Sequence, residues 1–193
     1  MRRVCVFCGA RTGARPEYEA AAIATGREIA SRGLGLVYGG GAIGLMGAVA
    51  RGAREAGGEV IGIIPHGLVA REAASRDLPD LRIVSSMHER KALMAEMSDG
   101  FLALPGGHGT LEEAVETLTW LQLGIHGKGI VFVDIAGYWS RLMAMFDHMV
   151  AEGFLRPPMR DIALLAPDAA SALDRLAAFT PPDVPRWMTP DET

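Results

Sequence analysis

Short apolar runs alternate with amphipathic segments along the whole chain of 193 residues. This alternation is typical of repeated strand–helix units, and neighbouring parallel strands need a crossover helix between them. The sequence therefore predicts an α/β fold, a three-layer Rossmann-like arrangement with a doubly wound, mainly parallel sheet and helices on both faces. The predicted strands are Val4–Cys8, Leu34–Tyr38, Glu59–Ile64, Leu81–Val84, Phe101–Leu104, Ile130–Val133 and Ile162–Leu165. The predicted helices are Glu17–Ser31, Leu45–Ala56, Met87–Ser98, Leu111–Leu123, Tyr138–Glu152 and Asp168–Phe179.

The length and composition predict one domain over residues 1–180, followed by a proline-rich tail over residues 181–193. No apolar run approaches the ~18 residues of a membrane span, so we expect no membrane segment. A net charge of −4 argues against a nucleic acid as partner. We expect a cytoplasmic protein, because its only two cysteines fit a reduced interior.

The two cysteines, Cys5 and Cys8, have the C-x-x-C spacing of redox pairs and metal sites. However, they lie in a predicted strand, where side chains three positions apart point to opposite faces. A redox pair would begin a helix instead, and no second Cys/His pair completes a zinc site. We therefore predict two buried thiols and no metal.

A first glycine-rich segment follows the second predicted strand and precedes a helix. Residues 39–47 fit the G-x-G-x-x-G spacing of dinucleotide-binding loops. Such a site also needs an acidic residue about 20 positions later, at the end of the next strand, to bind a ribose. That strand ends in Ile63-Ile64-Pro65-His66, so we predict no NAD site. Two interpretations stay open: the backbone of Gly40 and Gly41 contacts an anion or a sugar, or the glycines only permit a closely packed turn.

A second glycine-rich segment, from Pro105 to Thr110, also links a predicted strand to a helix. Its glycines leave backbone N–H groups free and the helix start carries partial positive charge, so it favours a phosphate. No lysine follows the last glycine, which excludes a Walker loop. Thr110-x-x-Glu113 also fits a capping box. A helical wheel places Glu113 beside Glu112 and away from the core, at the mouth of the segment, and the spacing favours capping and catalysis equally.

Arg90 is predicted on the apolar face of the helix that begins at Met87. At about 100° per residue it falls within an arc of apolar side chains, Met87, Leu93, Met94 and Met97. A charged side chain is rarely buried without a partner, so this arginine indicates an anion to be held. The alternative is a structural ion pair or a position at the rim. Lys91, at the edge of the same arc, could face a phosphate.

These segments together resemble the LONELY GUY family of cytokinin riboside 5′-monophosphate phosphoribohydrolases, often labelled as lysine decarboxylases. The resemblance covers nearly the whole chain and is carried by Cys8-Gly9, Tyr38–Gly47, Met87-His88-Glu89-Arg90-Lys91 and Pro105–Glu113. It implies hydrolysis of the N-glycosidic bond of N6-modified AMP to the free base and ribose 5-phosphate, and some members also accept AMP. It further implies a nucleotide 5′-monophosphate as ligand, no cofactor and a homodimer.

The same resemblance implies roles for individual residues. Arg90 and Glu113 would be the catalytic pair. Substrate contacts are implied for Glu72, Lys91, Gly106, Gly107, His108, Gly109, Thr110, Glu112 and Thr119, and the first segment adds Gly40 and Gly41. The chain departs from the family at Ala10, at Ala42-Ile43 and at Lys128-Gly129, where members commonly have Ser, Ser-Val and Lys-Pro.

The chemistry of glycosidic cleavage fits these residue types. Positive charge develops on the ribose, so Glu113 could stabilise it and activate a water, or could attack the anomeric carbon itself; the sequence leaves both open. Arginine is a poor proton donor because its pKa exceeds ~12, so Arg90 would orient Glu113 and balance charge. Two other functions compete: a pyridoxal-phosphate lysine decarboxylase, disfavoured because Lys91 and Lys128 are the only lysines, and a non-catalytic nucleotide or cofactor carrier or sensor.

Overall fold

A seven-stranded parallel sheet forms the centre of the computed structural model, which describes residues 1–69, 74 and 78–183. The strands lie in the order β4-β3-β2-β1-β5-β6-β7. They are β1 (Arg3–Phe7), β2 (Gly35–Tyr38), β3 (Val60–Pro65), β4 (Asp80–Val84), β5 (Gly100–Ala103), β6 (Ile130–Val133) and β7 (Ala163–Ala166). The central strands are buried on both faces, which explains why they are continuous apolar runs.

Helices cover both faces of the sheet and give the three predicted layers. They are α1 (Pro16–Ser31), α2 (Gly44–Glu55), α3 (Met87–Glu96), α4 (His108–Gln122), α5 (Ser140–Ala151), α6 (Pro157–Asp161) and α7 (Ala169–Ala177). One core cluster joins the sheet to α1, α2 and α7, and another joins it to α3, α4 and α5. None of the helices in the described ranges is long and apolar enough to cross a membrane.

The predicted fold class is confirmed, and each predicted strand and helix is present with ends shifted by at most three residues. The short helix α6 was not predicted, because its five residues are too few to show a helical repeat. Of the predicted tail, only residues 181–183 lie in the described part of the chain. Glu72 also lies outside the described residues.

Two glycines allow α1 and α2 to pack backbone against backbone. A Cβ at Gly26 would lie 2.1 Å from the carbonyl oxygen of Val49, and one at Gly52 would lie 2.2 Å from that of Ile23. No side chain fits at such distances. Part of the high glycine content therefore serves helix packing on the face opposite α3 and α4.

Cys5 and Cys8 are free, buried thiols, as predicted. They belong to the core clusters on opposite faces of the sheet. Burial, reinforced by the nearby Glu113 carboxylate, raises the pKa of both thiols. Both are therefore held in the protonated, unreactive form.

The strand order places a crevice between β1 and β5. The chain builds outward from β1 to β4 and then returns to add β5 on the other side of β1. The loop after β1 therefore leads to α1 on one face of the sheet, and the loop after β5 leads to α4 on the other face. Ligands of open α/β folds bind at such a switch point.

Candidate active site

Arg90 is held in place by backbone carbonyls of β3 and of the loop that follows β2. Ser86 caps the start of α3 by accepting a hydrogen bond from the Glu89 amide, and Arg90 follows one turn later, 5% exposed. Its Nε donates to the carbonyl oxygen of Ile63 at 3.1 Å, and its Nη2 donates to that of Gly39 at 3.2 Å. Two neutral acceptors thus fix the plane of the guanidinium, and Nη1 remains to face α4.

Glu113 supplies the anion that the buried arginine required. Its Oε1 lies 3.3 Å from Nη1 of Arg90, and both side chains are less than a tenth exposed. Desolvation makes such a pair costly, and removal of one partner leaves an uncompensated buried charge. The pair joins α3 to α4 beside the crevice between β1 and β5.

The structure excludes one open alternative for Glu113 and corrects one expectation about it. Helix α4 begins at His108 with Gly107 as its N-cap, so Thr110 is already inside the helix and the capping box is wrong. Glu113 also lies on the buried side of α4, together with Thr110, Ala114, Thr117 and Leu121, rather than away from the core. The helical wheel misplaced it because Leu111, Val115 and Leu118 were taken as the buried face. In the structure those three are only partly buried, and the buried face is rotated towards Thr110, Glu113 and Thr117.

The start of α4 presents backbone amides beside this pair. Gly107, His108 and Gly109 are exposed, and no side chain of the described residues caps the helix. A Cβ at Gly107 or Gly109 would meet nothing within 4 Å, so there is open space in front of these residues. The arrangement has the free N–H groups and the partial positive charge that bind a phosphate.

A cavity of about 250 Å³ brings the amides and the ion pair together. It is lined by Arg90, Glu113, Gly107, Gly109 and Thr110, and also by Cys8, Ala10 and Gly39 from the loops after β1 and β2. The described residues contain no cluster of three His, Cys, Asp or Glu side chains that could hold a metal ion. The chemistry offered by this cavity is therefore that of one carboxylate, one guanidinium and an anion-binding helix start.

Three other predicted substrate contacts line a neighbouring cavity. Lys91, Glu112 and Thr119 border a groove of about 730 Å³ between α3 and α4, beside apolar side chains that include Val115 and Trp120. Nζ of Lys91 lies 2.5 Å from Glu112 and 2.8 Å from Glu116. Burial alone would lower the pKa of Lys91, but the hydrogen bonds to the two carboxylates outweigh it and raise the pKa. Lys91 is therefore a cation held at the mouth of the groove.

The first glycine-rich segment meets the site at a residue that the sequence did not single out. Gly39 lines the cavity, and a Cβ there would lie 2.0 Å from Nη2 of Arg90. Gly40, with φ +75°, packs against Ile64, and Gly41 forms a β-bridge with Ala74; both are buried. These contacts favour the interpretation of a closely packed turn for Gly40 and Gly41.

Tyr138 is a second residue that sequence reasoning missed. It was predicted as the first residue of a helix, but α5 begins at Ser140. Its hydroxyl donates a hydrogen bond to the carbonyl oxygen of Gly106. Its position just after β6, at the same edge of the sheet as the glycine-rich segments, was the signal that could have found it.

Known proteins are similar to this chain in both sequence and fold. The family model described as "Possible lysine decarboxylase" matches residues 46–176. A probable cytokinin riboside 5′-monophosphate phosphoribohydrolase of Oryza sativa subsp. japonica is 48% identical over 181 residues, which cover 94% of this chain and 74% of the relative. A cytokinin riboside 5′-monophosphate phosphoribohydrolase of Arabidopsis thaliana is 47% identical over 180 residues, 93% of this chain and 84% of the relative.

Among solved structures, the molybdenum cofactor carrier protein of Chlamydomonas reinhardtii has a TM-score of 0.69 at 22% identity, over 92% of this chain and 99% of that one. At that identity the likeness concerns the fold alone. The sequence relatives, by contrast, are well above 30% identical along most of their length. The chain therefore belongs to the LONELY GUY family of cytokinin riboside 5′-monophosphate phosphoribohydrolases.

Proposed function

We propose that this protein hydrolyses the N-glycosidic bond of N6-modified adenosine 5′-monophosphates, releasing the free base and ribose 5-phosphate. The observation that carries the proposal is the buried Arg90–Glu113 pair, which faces the open amides at the start of α4 in one cavity. The names of the plant relatives support the same reaction. Plain AMP is a second substrate in this proposal.

The phosphate binds at the start of α4. The exposed backbone of Gly107, His108 and Gly109 offers N–H donors to it, and the helix adds partial positive charge. Gly106 allows this turn, because a Cβ there would lie 2.1 Å from Oγ1 of Thr110. With the phosphate so placed, the ribose extends into the cavity towards Glu113.

Glu113 acts on the anomeric carbon. Its carboxylate stabilises the positive charge that develops on the ribose as the bond to the base breaks, and it orients the attacking water. Attack by the carboxylate itself would use the same position. Arg90 is held by two carbonyls and keeps Glu113 oriented, so it acts as a positioning charge and not as a proton donor.

The groove between α3 and α4 takes the rest of the substrate. Lys91, Glu112 and Thr119 provide polar contacts at its border, and Val115 and Trp120 provide an apolar wall for a substituent on N6.

Apolar side chains on this exposed groove also support a homodimer that covers it. Sedimentation as a monomer at micromolar concentration would contradict the dimer. The two reduced, buried thiols support a cytoplasmic location.

The site offers little to the other two functions. A Schiff base needs a neutral amine, whereas two carboxylates hold Lys91 as a cation. A carrier that uses the same cavity would bind nucleotide and release it intact. The deciding experiment is incubation with AMP and with isopentenyladenosine monophosphate, followed by measurement of free base and ribose 5-phosphate. Recovery of intact nucleotide only would favour the carrier.

Glu113→Gln tests the role of the carboxylate. The change removes the charge but keeps the shape, so we expect kcat to fall at least about 10²-fold with KM nearly unchanged, as for a contact made only in the transition state. Glu96→Gln, an exposed carboxylate at the end of α3, is the matched control and should keep full activity. Near-normal base release by Glu113→Gln would contradict the assignment.

A further inference from the structure

The turn between β6 and α5 is built to hold one side chain in place. Ala136 has φ +52° and is the non-glycine residue with positive φ in the described chain, a conformation that costs energy unless the surroundings enforce it. The Asp134 carboxylate enforces it by accepting hydrogen bonds from the Trp139 amide at 2.5 Å and from the Ser140 hydroxyl at 2.7 Å. Tyr138 lies in this turn, between Ala136 and Trp139.

The ring of Tyr138 is held on two sides. It makes edge-to-face contacts with Trp139, at a centroid distance of 4.9 Å, and with Tyr18 of α1, at 5.8 Å. Trp139 is itself buried and donates from Nε1 to the carbonyl oxygen of Ala103, at the end of β5, at 3.0 Å. The Tyr138 hydroxyl therefore reaches the carbonyl oxygen of Gly106 from a rigid support.

This hydrogen bond controls a peptide group that would otherwise rotate easily. The peptide between Gly106 and Gly107 has a glycine on each side, so its plane can turn at little steric cost. The peptide is trans, so its C=O and its N–H point in opposite directions. By holding the carbonyl of Gly106 on its own side, Tyr138 directs the N–H of Gly107 to the other side.

The other side is the active-site cavity. Gly106, Gly107 and Tyr138 line a cavity of about 360 Å³, whereas Gly107 also lines the cavity of Arg90 and Glu113. The Gly107 residue thus forms a wall between the two. An amide fixed to point into the second cavity is an oriented donor for an anion there.

We propose that Tyr138 is a positioning residue that sets the Gly106–Gly107 peptide so that the Gly107 amide binds the 5′-phosphate of the substrate. This inference rests on the proposed function, in which the phosphate lies at the start of α4. Tyr138 itself does not touch the substrate. Its hydroxyl acts through one peptide plane, so its loss should affect phosphate binding and not the bond-breaking step.

Tyr138→Phe is the test, because it keeps the ring packing and removes the hydroxyl. We expect KM for isopentenyladenosine monophosphate to rise about 10- to 100-fold, the range for one hydrogen bond to a charged group, while kcat stays within about threefold. Calorimetry should show the same loss in affinity for ribose 5-phosphate and no change for the free base. A purely structural role would not separate these two ligands.

Tyr18→Phe is the matched control, since it removes a hydroxyl from the same aromatic pair and should leave KM within about twofold. Thermal unfolding of both variants checks that they are folded. An unchanged KM and an unchanged affinity for ribose 5-phosphate in Tyr138→Phe would overturn the inference. Failure of the wild-type protein to release base would instead overturn the proposed function, and the ribose 5-phosphate affinities would still decide the role of Tyr138.

Discussion

Gly39→Ala is the most direct test of how the Arg90–Glu113 pair, which we propose to be catalytic, is positioned. The added Cβ would lie 2.0 Å from Nη2 of Arg90 and 2.9 Å from Sδ of Met46. Ordinary contact begins at 3.4 Å, so the guanidinium would have to move by at least about 1.4 Å. The φ of Gly39 is not positive, so the backbone itself accepts alanine.

The expected cost falls mainly on activity. The end of an arginine side chain can move, so the fold survives, but the hydrogen bond from Nη2 to the Gly39 carbonyl is lost. A hydrogen bond to a charged group contributes about 2 kcal/mol, which at this chain length corresponds to a fall in Tm of ~4–8 °C. Because Glu113 follows Arg90, a shift of this size should lower kcat/KM at least about 10²-fold.

Gly127→Ala is the matched control, because its Cβ would reach Pro181 at an ordinary 3.4 Å. Base release and urea unfolding should be measured for both variants beside the wild type. The control should stay within about 0.5 kcal/mol of the wild-type stability and keep its activity. If Gly39→Ala behaves like the control in both assays, the backbone contact at Gly39 does not position Arg90 and the reasoning is refuted.

Three further outcomes are expected. Burial and then the charge of Lys128 lower the pKa of His126 to about 4. The free energy of unfolding is therefore highest above the unfolded pKa of about 6.5, and it falls by roughly 3 kcal/mol as the pH drops from there to 4. Urea unfolding at pH 7 and pH 4 should show this fall, and His126→Asn should reduce it. Lys91→Met should raise KM about tenfold with a smaller change in kcat, measured by base release, if Lys91 contacts substrate. A thiol reagent should label Cys5 and Cys8 only after unfolding, because burial raises the pKa of both; labelling of the native protein would contradict this.

The fold could be predicted because it depends on local patterns. Apolar runs of four to six residues mark strands that are buried on both faces, and the segments between them are long enough for crossover helices. Helix starts were harder to place. The start of α4 at His108 was not predicted, because its first turn contains Gly109 and glycine has a poor helix propensity. The glycine-rich segment was therefore interpreted as a loop up to Thr110.

The active site was predictable only where one element carried the signal. The position of Arg90 could be inferred, because the other residues of α3 define an apolar arc around it. The inward position of Glu113 could not, because it depends on a partner 23 residues away. The same is true of Gly39, which meets Arg90 across 51 residues, and of Tyr138, which meets Gly106 across 32. The pattern of apolar and polar residues within one segment contains no information about contacts with a distant segment.

The contacts of Arg90 also indicate that different residues orient Glu113 and bind the phosphate. Its Nε and Nη2 are used by backbone carbonyls and its Nη1 faces Glu113, so it cannot turn to a phosphate without leaving its own pair uncompensated. In the proposed function the phosphate is therefore bound by other donors, the backbone amides of Gly107 and its neighbours at the start of α4. Arg90 and its backbone acceptors therefore orient the Glu113 carboxylate, and the amides at the start of α4 bind the phosphate of the substrate. Gly39→Ala should disturb the orientation of Glu113, and Tyr138→Phe should weaken phosphate binding. If each variant lowered kcat and affinity alike, this division would be wrong.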